Sequence, residues 1–323
     1  MRIVFFGTPE FALPSLEILL QRPEFEVVGV VCQPDRPQGR GQKILPPVTK
    51  VLAASQGIPV WQPTRLRRDE AVLAALEALA ADVFVVVAYG QILPLRVLQM
   101  PKLGCVNVHG SLLPAYRGAA PIQWAIANGE TETGITTMLM DEGMDTGAML
   151  LKASVPIGPE QTGLELTMQL AQLGAELLVE TLLKLEKGEL IPMPQEGSRA
   201  SYAPLLKKHD FHLDWSRPAQ ALHNQIRAFS PQCFTGWQGQ RIKIIRSGSP
   251  QHHPAPPELP KGQPGEVVGL AKGEGVYVAT GEGSLLIQRA QLPGKKEQST
   301  WDWVNGGRLG VGMRFEALPM EPD

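Results

Sequence analysis

The sequence predicts an α/β protein: a Rossmann-like, doubly wound, mostly parallel sheet followed by a smaller β-barrel (OB-like) domain. Three observations carry this. Short β-branched apolar runs at residues 2–6, 27–32 and 83–88 show little alternation, as strands buried on both faces of a parallel sheet do. Helix-forming stretches at 13–20 and 71–80 lie between them, giving the order β-α-β-α. Farther on, strand-like pieces at 241–246, 265–270, 275–280 and 284–290, separated by Gly- and Pro-rich turns, read as a small barrel.

Taken in order, the first strand runs into Thr8-Pro9, which predicts an N-cap followed by the proline favoured at the first helical position. After the second strand comes a long segment, 35–47, rich in glycine, proline and basic residues. Connections in α/β units normally take about 2–6 residues, so a loop of this length is functional or disordered. Residues 104–109 read as a further strand, and 141–147, with two aspartates among glycines, as a tight turn. Thr162 and Glu165 form a capping box for a long helix that ends at Lys187-Gly188. The Pro-rich stretch 189–208 has no sustained period and reads as a linker, which divides the chain into a first domain at 1–188 and a second at 209–323. In the second domain 218–229 reads as a short helix and 249–264 as a surface loop.

With 323 residues, 43% hydrophobic and 19% charged, the chain has the composition of a soluble two-domain globular protein. An apolar run of only four residues precedes Gly7, which is too short for a leader core or a membrane span, so a cytoplasmic location is expected. Cys32, Cys105 and Cys233 are odd in number and lack metal-ligand spacing; they are expected as buried apolar residues, with no disulfide or zinc site. The formal net charge of −2 gives no global attraction to a polyanion. From Leu205 onward the balance is 14 basic against 11 acidic residues, which permits nucleic-acid binding by the second domain without requiring it.

The sharpest cluster of polar residues lies in 104–114. If 104–109 is a strand, Asn107 and His109 project from one face while Val106 and Val108 point to the other. Such a polar pair in a central strand is costly unless hydrogen-bonded or lining a cleft. Ligands of open α/β sheets bind at strand carboxyl ends, where this pair would lie. Asp145 could orient His109 or offset its charge, although from spacing alone a plain hairpin turn is the better reading.

Asn107, His109 and Asp145, together with Ser111-Leu112-Leu113-Pro114 and Asp141-Glu142-Gly143-Met144-Asp145, resemble the defining motifs of the 10-formyltetrahydrofolate-dependent formyltransferases. The resemblance implies that 10-formyltetrahydrofolate is the co-substrate and that no metal takes part. It further implies that the acceptor is the α-amino group of initiator methionyl-tRNA, formylated by amine attack through a tetrahedral intermediate. Asn107 would then donate to the developing oxyanion, His109 would carry protons near neutrality, and Asp145 would hold the imidazole. How protons divide between His109, Asp145 and water stays open. Ser111, Leu112, Leu113, Pro114, Ile92, Leu93 and Asp141 are implied to bind the folate, with Ile92 and Leu93 in an apolar pterin pocket. The basic segment is implied to meet the tRNA acceptor end through Arg36, Arg40 and Lys43. Arg241 and Lys243 of the second domain, with Trp237 as a stacking surface, are candidate RNA contacts, though scattered basic residues are also ordinary on a β surface. A monomer without DNA or membrane partners is expected.

Two other classes fit less well. Gly7-Thr8-Pro9-Glu10-Phe11-Ala12 lacks the second and third glycines of a dinucleotide fingerprint. A non-enzymatic RNA-binding module would leave Asn107, His109 and Asp145 without a task. Among related formyltransferases, those acting on glycinamide ribonucleotide are expected to end near the first domain, and those acting on sugar nucleotides to lack the basic insertion.

Overall fold

The computed structural model describes residues 1–38, 43–316 and 318. The described residues form two compact units. One comprises Met1–Gly118, Gly134–Val155 and Thr167–Ala203; the other comprises Ala119–Thr133, Pro156–Leu166 and the chain from Pro204 on. The stretch read as linker from 189 therefore lies in the first unit as far as Ala203.

The first unit is built on a seven-stranded sheet. Its strands are β1 (Arg2–Gly7), β2 (Glu26–Val31), β5 (Val60–Trp61), β6 (Val83–Val87), β7 (Cys105–His109), β9 (Glu132–Leu139) and β10 (Met149–Pro156), in the order β10-β9-β7-β6-β1-β2-β5. The pairs β1–β2, β2–β5, β1–β6 and β6–β7 are parallel, and β7–β9 is antiparallel. All five residues of β6 and all five of β7 are buried; the Val-Phe-Val-Val-Val run of β6 shows no alternation, whereas β7, Cys-Val-Asn-Val-His, alternates its valines with Asn107 and His109. From β1 the chain leaves toward β2 on one side, and the later strands β6 and β7 continue on the other. The switch point is thus at the carboxyl ends of β1 and β6, where ligands of such sheets bind.

Local caps differ from the sequence reading in one place. Thr8 is not an N-cap: its hydroxyl donates to the Tyr89 carbonyl at 3.4 Å and accepts from the Gln33 amide at 3.1 Å, tying the ends of β1 and β6 to the segment after β2. A 3-10 turn, Glu10–Ala12, precedes the helix Leu13–Gln21, which carries Pro14 in its first turn. The capping box forms as read, with Thr162 N donating to Glu165 Oε2 at 2.8 Å and Glu165 N donating to Thr162 Oγ1 at 3.3 Å. That helix, Gly163–Glu186, stops at Gly188, whose φ is 69°.

The long basic segment is an antiparallel hairpin of β3 (Arg36–Gln38) and β4 (Lys43–Leu45) rather than an irregular loop. Residues 39–42, Arg40 among them, lie outside the described residues. The base of the hairpin is fixed by Asp35, which accepts from Lys50 Nζ at 2.8 Å and Gln62 Nε2 at 2.7 Å. Those hydrogen bonds hold the Asp35 carboxyl below the usual carboxylate range. A small parallel pair, β8 (Arg117–Gly118) with β11 (Tyr202–Ala203), completes the first unit.

The second unit carries an antiparallel sheet of β12 (Phe234–Trp237), β13 (Gln240–Gly248), β16 (Ser284–Gln291), β15 (Gly275–Ala279) and β14 (Val267–Ala271), with β17 (Gln298–Ser299) on β16. Closure comes from the 312–316 segment. Glu316 exchanges backbone hydrogen bonds with Gly236 of β12, while Phe315 donates to the Gly265 carbonyl and the Met313 carbonyl accepts from Val267 of β14. The edges are thereby covered, as in a barrel. Helix Ala219–Phe229 packs on β13 and on helix Pro121–Ala127, with Phe229 edge-on to Trp124 at 5.6 Å.

Cys32, Cys105 and Cys233 are free and buried; burial pushes the Cys32 thiol up to about 11 and that of Cys105 up to about 12. Among the described residues no helix is long and apolar enough to cross a membrane. Within the same residues no group of three or more His, Cys, Asp or Glu is placed to hold a metal ion.

Candidate active site

Asn107 and His109 lie on one face of β7, paired across β9 with Met138 and Thr136. Val106 and Val108 face the other way and are buried. The backbone of Asp145 has φ of 53°, in the left-handed region that aspartate tolerates better than most residues. The loop that carries it is closed at Gly147, where a Cβ would collide with the Leu139 carbonyl.

His109 is 6% exposed, and its two ring nitrogens have distinct surroundings. Nε2 lies 3.0 Å from the Tyr116 carbonyl, which can only accept, so Nε2 carries a proton. Nδ1 faces Asp145 Oδ1 at 3.7 Å. In the neutral ring Nδ1 is therefore the one basic position, and its protonation would place a charge beside the carboxylate. The other carboxylate oxygen, Oδ2, accepts from the Gly118 amide at 2.8 Å.

Asn107 is 9% exposed, and among the described residues its carboxamide has no hydrogen-bond partner. Its polar atoms are not among the buried atoms left without a partner, so the amide at this strand's carboxyl end is reachable by a ligand that carries an acceptor.

The Ser111–Pro114 segment follows directly and is firmly held. Thr136 Oγ1 donates to the Ser111 carbonyl at 2.7 Å and accepts from the Leu113 amide at 3.0 Å. Lys152 Nζ donates to the Leu113 carbonyl at 2.5 Å, and desolvation lowers the proton affinity of this ammonium. Ser111 is fully buried and its hydroxyl is spent on the Ala115 carbonyl at 2.6 Å. Leu113 packs in a cluster with Met138 and Met149. Leu112 and Pro114 are half-buried and keep some surface.

The remaining sequence candidates are spread more widely. Ile92 is 82% exposed, whereas Leu93 at 3% is packed in the core with Tyr89 and Val97. Asp141 is exposed, with Oδ1 accepting from the Gly143 amide at 3.0 Å and from Thr146 Oγ1 at 2.6 Å. Arg36 and Lys43 are exposed on the hairpin; Arg36 Nη2 donates to Gln33 Oε1 at 3.1 Å.

In the second unit, Arg241 and Lys243 alternate with the buried Ile242 and Ile244 and so share the outer face of β13. The Arg241 guanidinium lies 3.5 Å from the centroid of Phe234. Trp237 departs from its expected stacking role: it is 5% exposed and packs on Phe315 at 5.2 Å, so it presents no face to a base.

Sequence reasoning missed the residues that hold this arrangement. The contacts from Tyr116 and Gly118 are main-chain contacts and leave no trace in residue type. Arg117 and Gln195 are 78 positions apart, yet their side chains meet. A basic residue between a candidate motif and a glycine was the available signal.

Comparison with known proteins agrees with this layout. The model of the Formyl transferase family matches residues 1–182, and that of the Formyl transferase C-terminal domain matches residues 205–308. The methionyl-tRNA formyltransferase of Synechococcus sp. (strain JA-2-3B'a(2-13)) is 85% identical over 320 residues, covering 99% of each chain. The protein of the same name from Trichormus variabilis (strain ATCC 29413 / PCC 7937) is 55% identical over 327 residues, covering 97% of this chain and 98% of its own. Among solved structures, an N-formyltransferase from Helicobacter canadensis, in complex with folinic acid and dTDP-3-aminofucose, shares the fold. Its TM-score is 0.64 at 21% identity, over 90% of this chain and 98% of that one. HypX from Aquifex aeolicus with tetrahydrofolic acid has a TM-score of 0.64 at 19% identity, over 100% of this chain and 49% of its own. The chain belongs to the formyl transferase family, matching its N-terminal and C-terminal models in turn.

Proposed function

We propose that this protein transfers the formyl group of 10-formyltetrahydrofolate to the α-amino group of initiator methionyl-tRNA, giving N-formylmethionyl-tRNA and tetrahydrofolate. The chemistry rests on one observation above the others: His109 keeps Nε2 committed to the Tyr116 carbonyl and turns Nδ1, its one basic position when neutral, toward Asp145. The full-length relatives named for the methionyl-tRNA reaction support the choice of acceptor.

In this reading the amine of the acceptor attacks the formyl carbon, forming a carbon–nitrogen bond while charge moves to the carbonyl oxygen. Asn107 donates its free amide hydrogens to that oxygen. Nδ1 of His109 takes the proton lost by the amine, Asp145 offsets the imidazolium charge, and the proton is passed to the departing folate nitrogen as its bond to carbon breaks. Ile92, Leu112, Pro114 and Asp141 contact the folate, while Ser111, Leu113 and Leu93 support that wall from behind. Arg36, Arg40 and Lys43 of the hairpin meet tRNA phosphates or unpaired bases. Residues 1–188 carry the chemistry, and 209–323 bind tRNA through the face of Arg241 and Lys243. The enzyme works as a cytoplasmic monomer.

The test is a panel of acceptors with one radiolabelled formyl donor. Label entering methionyl initiator tRNA, with none in uncharged tRNA or in amino-sugar nucleotides, is the expected outcome; label in a sugar nucleotide instead would overturn the acceptor assignment.

A further inference from the structure

We infer that Gln195 is a positioning residue for the candidate catalytic carboxylate, its carboxamide tying the backbone of Asp145 in the conformation that presents Oδ1 to His109. This rests on the reading of Asp145 as the partner of His109.

The need for such a tie follows from the backbone. With φ of 53°, Asp145 sits in the left-handed region, which is disfavoured for a residue with a side chain even though aspartate tolerates it better than most. It persists only where its surroundings over-determine it. Its side chain is held on one side by the Gly118 amide, 2.8 Å from Oδ2. Its carbonyl is held by Gln195 Nε2 at 2.8 Å, and the same nitrogen donates to the Gly147 carbonyl at 2.8 Å. Both amide hydrogens of Gln195 are thus spent on the Asp145 loop.

The other end of the carboxamide is fixed as tightly. Gln195 Oε1 accepts from Arg117 Nε at 3.0 Å and Nη2 at 2.8 Å. Arg117 is 6% exposed, and among the described residues no carboxylate pairs with it. A flipped amide would aim its hydrogens at a guanidinium and its oxygen at two carbonyls, so only one orientation is satisfied. Glutamine alone of the common residues of this length offers an acceptor to the cation and two donors to the loop at once.

The segment carrying Gln195 is itself pinned at both ends. Met193 and Met149 exchange backbone hydrogen bonds at 2.8 Å, and Ser201 accepts from the Arg117 amide at 2.8 Å through its carbonyl and from the Tyr116 amide at 2.9 Å through its hydroxyl. Tyr116 also holds the His109 ring and Gly118 holds Asp145, so the short segment 116–118 orients both side chains. Arg117 between them links that segment to Gln195 and back to Asp145, closing a ring of hydrogen bonds around the pair.

The discriminating variant is Gln195→Glu. It gives Arg117 a charge-paired acceptor but withdraws both donors from the Asp145 loop. A merely structural anchor for Arg117 would tolerate it. Formyl transfer by the full-length protein would be measured for wild type, Gln195→Glu, Gln195→Ala, Asp145→Asn and the double variant Asp145→Asn/Gln195→Ala, with melting temperatures alongside. Both Gln195 variants should lower kcat by about ten- to a hundredfold, the scale of a misplacement of roughly 1 Å, with KM for either substrate within about threefold. In the Asp145→Asn background, Gln195→Ala should cost less than about threefold, because the group it positions is already gone. The inference falls if Gln195→Glu retains kcat within about threefold, or if Gln195→Ala costs the same factor in both backgrounds. Should Gln195→Ala fail to fold, Gln195→Glu decides alone. An Asp145→Asn variant of full activity would remove the reading of Asp145 itself, a result distinct from a silent Gln195 beside a crippling Asp145→Asn.

Discussion

Replacing Asn107 by alanine separates a chemical role from a structural one, because among the described residues its carboxamide has no hydrogen bond to lose. Most buried amides are embedded in networks, so truncating them strands a partner and destabilises the fold. Here the side chain is 9% exposed, and among the described residues nothing would be stranded. The change in folding free energy should stay within about 1 kcal/mol, a melting shift of a few degrees at most. Activity should respond very differently. Loss of one donor to a developing oxyanion costs about 2.7–4 kcal/mol of transition-state stabilisation, or roughly 100- to 1,000-fold in kcat. The isosteric Asn107→Asp, which offers an acceptor where a donor is required, should fall at least as far. Initial rates at saturating formyl donor and methionyl-tRNA, with thermal melts of the same preparations, give both numbers. A kcat within about threefold of wild type, or an activity loss matched by a comparable collapse of stability, would refute the reasoning.

Two further outcomes follow from other parts of the molecule. Lys43→Ala and Arg40→Ala should each raise KM for tRNA about three- to tenfold, lower the salt dependence of tRNA binding by roughly one counterion, and leave KM for the folate unchanged; equal effects on both substrates would count against the hairpin's role. His223 is buried, with Nε2 donating to the Pro159 carbonyl at 2.9 Å and Nδ1 meeting Ser247 Oγ at 2.9 Å; burial depresses its proton affinity, the Pro159 hydrogen bond and Glu160 oppose this, and Arg227 and His253 add to it. The unfolded chain then binds the proton more readily than the folded one, so stability is complete above about pH 6.5 and falls as pH drops below that value. Melts of wild type and His223→Gln between pH 7.5 and 5 should show a steeper decline for wild type, and parallel curves would exclude His223 as the source.

Where burial is uniform, the sequence is a good guide. The valine run of β6 specifies a central parallel strand because both faces are covered, and Thr162 with Glu165 marks a helix start whose local hydrogen bonds are enough to fix it. Thr8 misleads because its hydroxyl finds a tertiary partner in Tyr89, an interaction that outweighs the local cap. The basic segment could be located from its length and composition, but its hairpin form could not, since Pro37 and the flanking polar residues give no alternation. Asn107, His109 and Asp145 were legible as residue types at motif spacing. Leu93 and Ile92, adjacent in sequence, have opposite fates because the chain turns there, and apolar character alone does not distinguish a core residue from an exposed one. The segment around Gln195 reads as a linker by its prolines and glycine, yet its amide is fixed by contacts that span 78 and 50 residues.

The most direct measurement is the single-turnover rate of formyl transfer to methionyl initiator tRNA by His109→Ala at saturating enzyme. Removal of the proton carrier should slow the bond-forming step by about 100- to 10,000-fold while leaving tRNA affinity intact. A rate indistinguishable from that of wild type would leave the imidazole without a task and contradict the assignment of this strand end as the place where the reaction occurs.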